Sequence, residues 1–278
     1  MRRMLLGVLL TALTTTVLAD TPVWRDPALK LAFVDIPKGC FFMGFWYEDE
    51  PEENRYKVCL KPFQMMQHEV TNAQFRQYQA RHDSGTFEDL RLNQAQQPVV
   101  NVTLAQAQGF AAWLSAKTGQ HFGLPTEAQW EYAAKAGTST ETFFGDDLDQ
   151  ACEYANVSDE IGEKHFTWMI NAECQDGYVV SAPVGQFQPN PFGLYDIMGN
   201  VWEWTCSAHA EPYNGQEQVC TKSTQARIVF RGGGWATRPS FLGSTVRRYI
   251  SPEPLAGRLR PTLKGVYLGF RLVRTLNQ

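Results

Sequence analysis

Gly193-Leu194-Tyr195-Asp196-Ile197-Met198-Gly199-Asn200-Val201-Trp202-Glu203-Trp204 is the stretch on which the reading of this chain turns. Apolar and aromatic side chains (Leu194, Tyr195, Ile197, Met198, Val201, Trp202, Trp204) surround two carboxylates, Asp196 and Glu203, and one hinge, Gly199-Asn200. Their spacing would bring both acids to one face of a helix. Gly-Asn at the centre instead favours a turn with positive φ. Two chemistries suit a carboxylate on each side of such a turn. Together with the turn's carbonyls the pair can cage a hard cation such as calcium. Alternatively, both acids accept hydrogen bonds from the turn's own N–H groups inside an aromatic core.

Working outward, the amino terminus reads as a secretory signal. Arg2 and Arg3 precede an apolar run from Met4 to Leu13, and Val17-Leu18-Ala19 places cleavage after Ala19. The run is too short to anchor the chain across a bilayer, and no later segment is apolar and long enough to do so. Residues 1–19 are therefore assigned to the signal peptide and 20–278 to one domain, with the mature protein expected in the periplasm. All six cysteines (Cys40, Cys59, Cys152, Cys174, Cys206, Cys220) fall in the mature region, where an even count predicts disulfides. Of the fifteen possible pairings, the sequential one, 40–59, 152–174 and 206–220, closes the most modest loops. No C-x-x-C occurs, which disfavours zinc and thioredoxin-type redox chemistry. Without Arg2 and Arg3, 23 basic side chains face 29 acidic ones, a formal −6. That balance argues against nucleic acid or anionic lipid as the main partner.

In chain order, Leu31 to Met43 predicts two short strands broken at Pro37-Lys38-Gly39, followed by an acidic loop from Trp46 to Asn54. A strand is expected over Tyr56–Met66. Thr71 or Asn72 then caps a helix with Phe75 and Tyr78 on one face, and His68 is read as structural. A strand over Gln97–Thr103 leads into a helix whose stripe is Ala107, Phe110, Ala111 and Leu114, ending near Gly119. A further helix opens at Thr126 with Gln129 completing a capping box. Glu127 and Glu131 lie at i and i+4 beside that cap and are read as structural. Asp146, Asp147 and Asp149 do not fit an EF-hand loop. Helical periodicity is confined to two places, so a loop-rich α+β domain is the expected class.

In order, I-P-K-G-C-F-F-M-G, H-E-V-T-N-A-Q-F, L-P-T-E-A-Q-W-E-Y-A, Y-A-N-V, Q-D-G-Y, A-P-V-G-Q-F-Q-P-N-P-F-G-L-Y-D-I-M-G-N-V-W-E-W, R-G-G-G-W and L-G-F-R-L resemble the formylglycine-generating-enzyme (sulfatase-modifying-factor) family over nearly the whole mature chain. The resemblance implies an irregular single domain, C-type-lectin-like, with two calcium ions. It maps the first calcium site onto Asn156, Val157, Asp176 and Tyr178, and the second onto Asp196, Gly199, Val201 and Glu203. All would be hard oxygen donors, right for calcium and wrong for copper.

At the catalytic end the resemblance fails. Family enzymes oxidise a substrate cysteine with two Cu(I)-binding cysteines placed after R-G-G-S-(Trp or Tyr). In this chain those positions are Thr237 and Leu242, and Gly234 replaces the serine. No copper and no catalytic residue are therefore expected. The H-x-x-x-H-x-E motif of the iron-dependent relatives that form sulfur–carbon bonds is missing as well. Two roles follow from the resemblance. One is a calcium-stabilised, exported binding or regulatory protein, like the TagR-type periplasmic regulators of a membrane Thr kinase that switches on type VI secretion. The alternative is a periplasmic enzyme with altered oxidative chemistry, such as maturation of the chromophore of the siderophore pyoverdine. Arg231, Arg238, Arg247 and Arg248 are candidate cleft residues, with pairing to the surplus acids as the plainer role.

Overall fold

β1 (Val23–Asp26) and β2 (Leu31–Ile36) open the chain. A computed structural model describes residues 23–26, 29–45, 56–167, 173–250 and 265–276. The signal-peptide assignment and the acidic Trp46–Asn54 loop lie outside these residues. β2 is apolar on both faces, with Leu31, Phe33, Val34 and Ile36 all buried, as expected of a strand covered on both sides. It stops at Pro37-Lys38, and β3 (Gly39–Met43) starts at once, as the sequence predicts. β3 pairs with β4 (Tyr56–Leu60), setting Cys40 opposite Cys59.

The single strand expected over Tyr56–Met66 is in fact two. Lys61-Pro62 interrupts it, and β5 (Phe63–Met66) leaves the hairpin to pair with β2. Pro62 has no N–H for a ladder and restricts the residue before it, so the break falls there. α1 (Asn72–Phe75) is one short turn capped by Thr71, with Gln74 closing the capping box. Tyr78 lies beyond it, although its ring still meets Phe75 edge-on at 5.7 Å. β6 (Thr86–Phe87) and β7 (Leu90–Arg91) form a small hairpin.

Gln97–Thr103 is not the expected strand. Only Pro98 bridges to Thr71, and the carbonyls of Gln94 and Gln97 are taken by Asn72 Nδ2 at 3.0 and 3.2 Å. Asn101 turns the backbone at φ 58°. Ladder bonding is confined to the Thr71–Pro98 bridge, where Asn72 N donates to Gln97 O at 3.0 Å and Val99 N to Val70 O at 2.8 Å, and the buried Asn72 amide gathers the carbonyls around it. α2 (Leu104–Thr118) then follows its sequence closely. Thr103 and Gln106 form its capping box, the predicted stripe is buried, and Gly119 ends it at φ 71°.

After β8 (Phe122–Gly123) comes α3 (Glu127–Lys135), capped by Thr126 and Gln129 as predicted. α4 (Ala151–Tyr154) and α5 (Glu160–His165) sit near or inside the loop that Cys152–Cys174 closes. β9 (Trp202–Ala208), β10 (Ile228–Arg231), β11 (Arg247–Ile250), β12 (Leu268–Gly269) and β13 (Val273–Thr275) complete the domain. One sheet runs β1-β2-β5-β13-β8 and the other β11-β10-β9-β12, with β12 parallel to β9.

Alternate residues of β2 and β5 face two cores. Phe33 and Met66 join Phe75, Phe110, Leu114, Trp204 and Phe270. Val34 and Met65 join Trp130, Leu194, Met198 and Leu242. The result is a mixed α/β single domain with few helices and much irregular chain, matching the predicted class. All three disulfides are the sequential pairs expected. Such pairs suit an oxidising compartment. Among the described residues no helix is long and apolar enough to cross a membrane.

Candidate metal centre

Asp196, Gly199 and Asn200 all have positive φ, at 52°, 80° and 53°. The run is therefore a turn, not a helix, as Gly-Asn predicts. The turn is a hub for three loops. Gly199 N donates to Gly232 O at 2.9 Å, Asn200 N to Asn156 O at 2.8 Å, and Trp235 N to Asn200 O at 2.8 Å. Asn200 Oδ1 accepts from Ala182 N at 3.0 Å. A Cβ at Gly199 would stand 2.4 Å from Asn156 O, so this close approach admits glycine alone.

Asn156 and Asp176 come together as the resemblance implies. Asp176 Oδ2 accepts from Val157 N at 2.7 Å and from Asn156 Nδ2 at 3.0 Å, while Oδ1 accepts from Tyr178 N at 2.8 Å. Burial pushes the Asp176 carboxyl up to about 7, with neighbouring Asp159 adding to the effect against those hydrogen bonds. Asn156 Oδ1 is buried and has no donor. An oxygen left over beside an Asp carboxylate is what a hard cation would take.

The second group is arranged around Arg271. Asp196 Oδ2 accepts from Gly185 N at 2.6 Å, and its Oδ1 is buried without a donor. Burial raises this carboxyl to about 6, with Arg271 opposing and Glu203 reinforcing the rise. Glu203 is already engaged. Arg271 Nε donates to its oxygens at 2.8 and 2.9 Å, Arg271 Nη2 lies 2.7 Å from Oε1, and Trp130 Nε1 donates to Oε2 at 2.9 Å. Among the described residues no three His, Cys, Asp or Glu side chains converge as a ready cage. Each mapped site calls for only two side chains, with carbonyls of Val157 and Tyr178, or of Gly199 and Val201, as the rest. The orphaned oxygens on Asn156 and Asp196 fit a calcium ion at either place.

Thr237 and Leu242, at the positions the resemblance gives to the copper thiolates, both pack over Gly233. A Cβ on Gly233 would meet Leu242 Cδ2 at 2.8 Å and Thr237 Cγ2 at 3.4 Å. Leu242 is 2% exposed and belongs to the Trp130–Met198 core. Thr237 Oγ1 accepts from Gly234 N at 2.9 Å, and Thr237 O accepts from Ser158 N at 2.9 Å. An isobutyl group and a backbone-bound hydroxyl offer nothing to Cu(I). The cysteines are all consumed in disulfides, and none is free among the described residues.

The candidate arginines divide. Arg231 is fully buried, with Nη2 2.7 Å from Glu127 Oε1 and 2.8 Å from Glu131 Oε2, while Arg247 Nε is 2.9 Å from Glu127. Arg238 and Arg248 are exposed. Glu127 and Glu131 are thus the counter-ions of the arginines, a structural role as the sequence suggests. His68 is structural too, its Nδ1 lying 2.8 Å from Glu69 O. Sequence reasoning missed Glu69, Arg271 and Trp130. Glu69 and Arg271 stand inside the quoted H-E-V-T-N and L-G-F-R-L runs, but no local spacing marks them as partners of Asp196 and Glu203.

Residues 25–276 match the family model described as the sulfatase-modifying factor enzyme 1-like domain. The formylglycine-generating enzyme of Streptomyces coelicolor is 31% identical over 169 residues, 58% of this chain and 50% of that one. A mouse protein named inactive C-alpha-formylglycine-generating enzyme 2 is 33% identical over 55% of this chain and 40% of its own length. Serine/threonine-protein kinase pkn1 of Chlamydia pneumoniae is 29% identical over 80% of this chain but only 34% of its own. The matched regions thus span half or less of these relatives. A solved structure, PvdO from Pseudomonas aeruginosa, is similar end to end, with TM-score 0.73, 28% identity, 92% of this chain and 98% of that one.

Proposed function

Because the chain belongs to the sulfatase-modifying factor enzyme 1-like domain family, we propose that it keeps the family scaffold as a calcium-stabilised binding and regulatory protein of the periplasm. Oxidation of a substrate cysteine is no part of this role. The observation that carries the reading is the pair Thr237 and Leu242, packed over Gly233 where the resemblance places the copper thiolates. A relative named inactive supports persistence of the domain without the activity. The kinase-named relative carries a region like this chain beside other sequence. That supports a kinase pathway as the setting, with the periplasmic part of a membrane Thr kinase governing type VI secretion as the partner.

Calcium is assigned to Asn156, Val157, Asp176 and Tyr178 and to Asp196, Gly199, Val201 and Glu203. Bound there, it would supply positive charge to buried carboxylates and tie loops together. This chain's own groups hold the turns in register: Gly199 and Asn200 join the two sites through the Asn156 carbonyl, and Arg271 fixes Glu203. The alternative, an exported enzyme with altered oxidative chemistry such as siderophore chromophore maturation, draws on the end-to-end likeness to the Pseudomonas protein.

Purified mature protein loaded with Cu(I) and given a sulfatase-type cysteine peptide tests the reading. No oxidation, two calcium ions per chain and calcium-dependent retention of the kinase's periplasmic part are the expected results. Bound copper with turnover of the peptide would refute it, and turnover of a siderophore precursor would favour the alternative.

A further inference from the structure

Glu69 follows β5 in the H-E-V-T-N run and is 0% exposed. Neither of its carboxylate oxygens meets a donor, and the same holds for Asp196 Oδ1. The two carboxyl groups stand within hydrogen-bonding reach of each other. Burying an uncompensated carboxylate costs several kcal/mol or more, so the native fold must bring positive charge to this place or keep a group neutral.

Arg271 is the cation facing Glu69, Asp196 and Glu203. Its donors are spent elsewhere. Nε and Nη2 hold Glu203. Nη1 donates to the carbonyls of Met66 and Gln67, and Nη2 also to those of Tyr195 and Asp196. Glu203 and Arg271 make a neutral pair. Glu69 and Asp196 then remain without a guanidinium of their own, and Glu69 Oε1, Glu69 Oε2 and Asp196 Oδ1 are buried with no protein N–H donor. A set of buried hard oxygens without donors beside a turn is what a divalent calcium ion takes.

We propose that Glu69 is a ligand of the cation at the Asp196 turn, supplying with Asp196 the charge that calcium neutralises, while Glu203 serves chiefly as the counter-ion of Arg271. This rests on the calcium reading above and adds a side chain to it. The three acids are not drawn into a cage, so binding is accompanied by movement of the Glu69 side chain toward the turn.

Calcium alone, added to chelator-stripped mature protein, is the probe. Titration calorimetry and thermal melts are run on the wild type, Glu69→Gln and Glu69→Asp. The expected result for Glu69→Gln has two opposite signs. Without calcium the variant melts higher than the wild type, because a buried carboxyl without a donor is replaced by an amide that can donate to Asp196 Oδ1. With calcium its gain in melting temperature shrinks, and the affinity of one of the two sites falls roughly tenfold or more. Glu69→Asp keeps the charge at shorter reach and retains part of that gain. An unchanged calcium gain and unchanged affinities in both variants would overturn the proposal while leaving the calcium reading intact. So would an equal shift of the stripped and loaded forms, the signature of a carboxyl pair that shares a proton. Absence of any calcium effect in the wild type would overturn the calcium reading, and this proposal with it. If Glu69→Gln does not fold, the affinities of Glu69→Asp decide: one site weakened supports the ligand role, and none weakened overturns it.

Discussion

Gly199→Ala is the most informative single change, because it tests whether the two candidate cation sites share one joint. The added methyl would lie 2.4 Å from Asn156 O and 2.9 Å from Ala155 Cβ, at a φ of 80°. The left-handed backbone costs an alanine about 1–2 kcal/mol. Pushing a fixed carbonyl aside adds about 1–3 kcal/mol of overpacking, for a loss of about 2–5 kcal/mol. In a domain of this size each kcal/mol moves the melting temperature by about 2–4 °C, so a fall of roughly 5–20 °C is expected. Gly215→Ala is the control, since Gly215 also has positive φ (99°) but nothing lies within 4 Å of its added Cβ. It should lose only the backbone part, about 1–2 kcal/mol. Calorimetric titration with calcium should then find both sites weakened in Gly199→Ala and neither in Gly215→Ala. The displaced carbonyl belongs to Asn156, whose side chain serves one site, while Gly199 serves the other. Equal melting temperatures for the two variants, or loss of a single site, would refute the shared joint.

Arg231→Met should cost about 3–5 kcal/mol in urea unfolding, because it removes the fully buried cation shared by Glu127 and Glu131 and leaves them with the peripheral Arg247 and Lys135. Adding Glu127→Gln and Glu131→Gln should restore part of it, and a loss below about 1 kcal/mol in the single variant would contradict a buried pair. The pH dependence has a definite sign. Asp176 and Asp196 are raised to about 7 and about 6 from 3.8, so the folded state holds protons more tightly than the unfolded one. The stability this gives is fully present below pH 4 and is lost as pH rises through 6 to 7. In chelator these groups should make melting temperatures fall between pH 5 and pH 7.5, whereas the gain from calcium should grow over that range. A calcium gain that is flat with pH would count against these carboxyls as ligands. Thr237→Cys with Leu242→Cys should create a Cu(I) site measurable by competition with a chromogenic chelator, at a cost of about 2 kcal/mol for the lost leucine packing. No copper uptake by a folded double variant would show that the loop no longer places these positions as a pair.

What could be read from the sequence was local. The capping box read at Thr126 is an i to i+3 pattern whose hydrogen bonds form within one turn, and the structure adds two of the same kind at Thr71 and Thr103. The α2 stripe and the sequential disulfides are likewise short-range. The Asp196–Glu203 turn was legible because Gly-Asn dictates its backbone. The strand expected over Gln97–Thr103 is cut to one bridge because Asn101 turns the backbone at φ 58° and donates instead to Gly265 O, a distant partner that no local pattern encodes. The Tyr56–Met66 error had a local signal, Pro62, that the apolar run outweighed. At the site, Arg271 meets Glu203 across 68 residues and Trp130 meets it across 73. Such pairings follow from sheet order, which no periodicity encodes.

The closing residues of the domain carry a consequence for the order of events during synthesis. β13 lies between β5 and β8 in one sheet, and β12 completes the other. Arg271, between them, is the staple on Glu203. A nascent chain that has emerged only as far as Tyr267 therefore has both sheets unfinished and Glu203 without its counter-ion. Such an intermediate also lacks Leu268, Phe270 and Leu272 from one core and Val273 from the other. Closure of both sheets and pairing of Glu203 therefore come together, when the stretch from Leu268 to Thr275 docks.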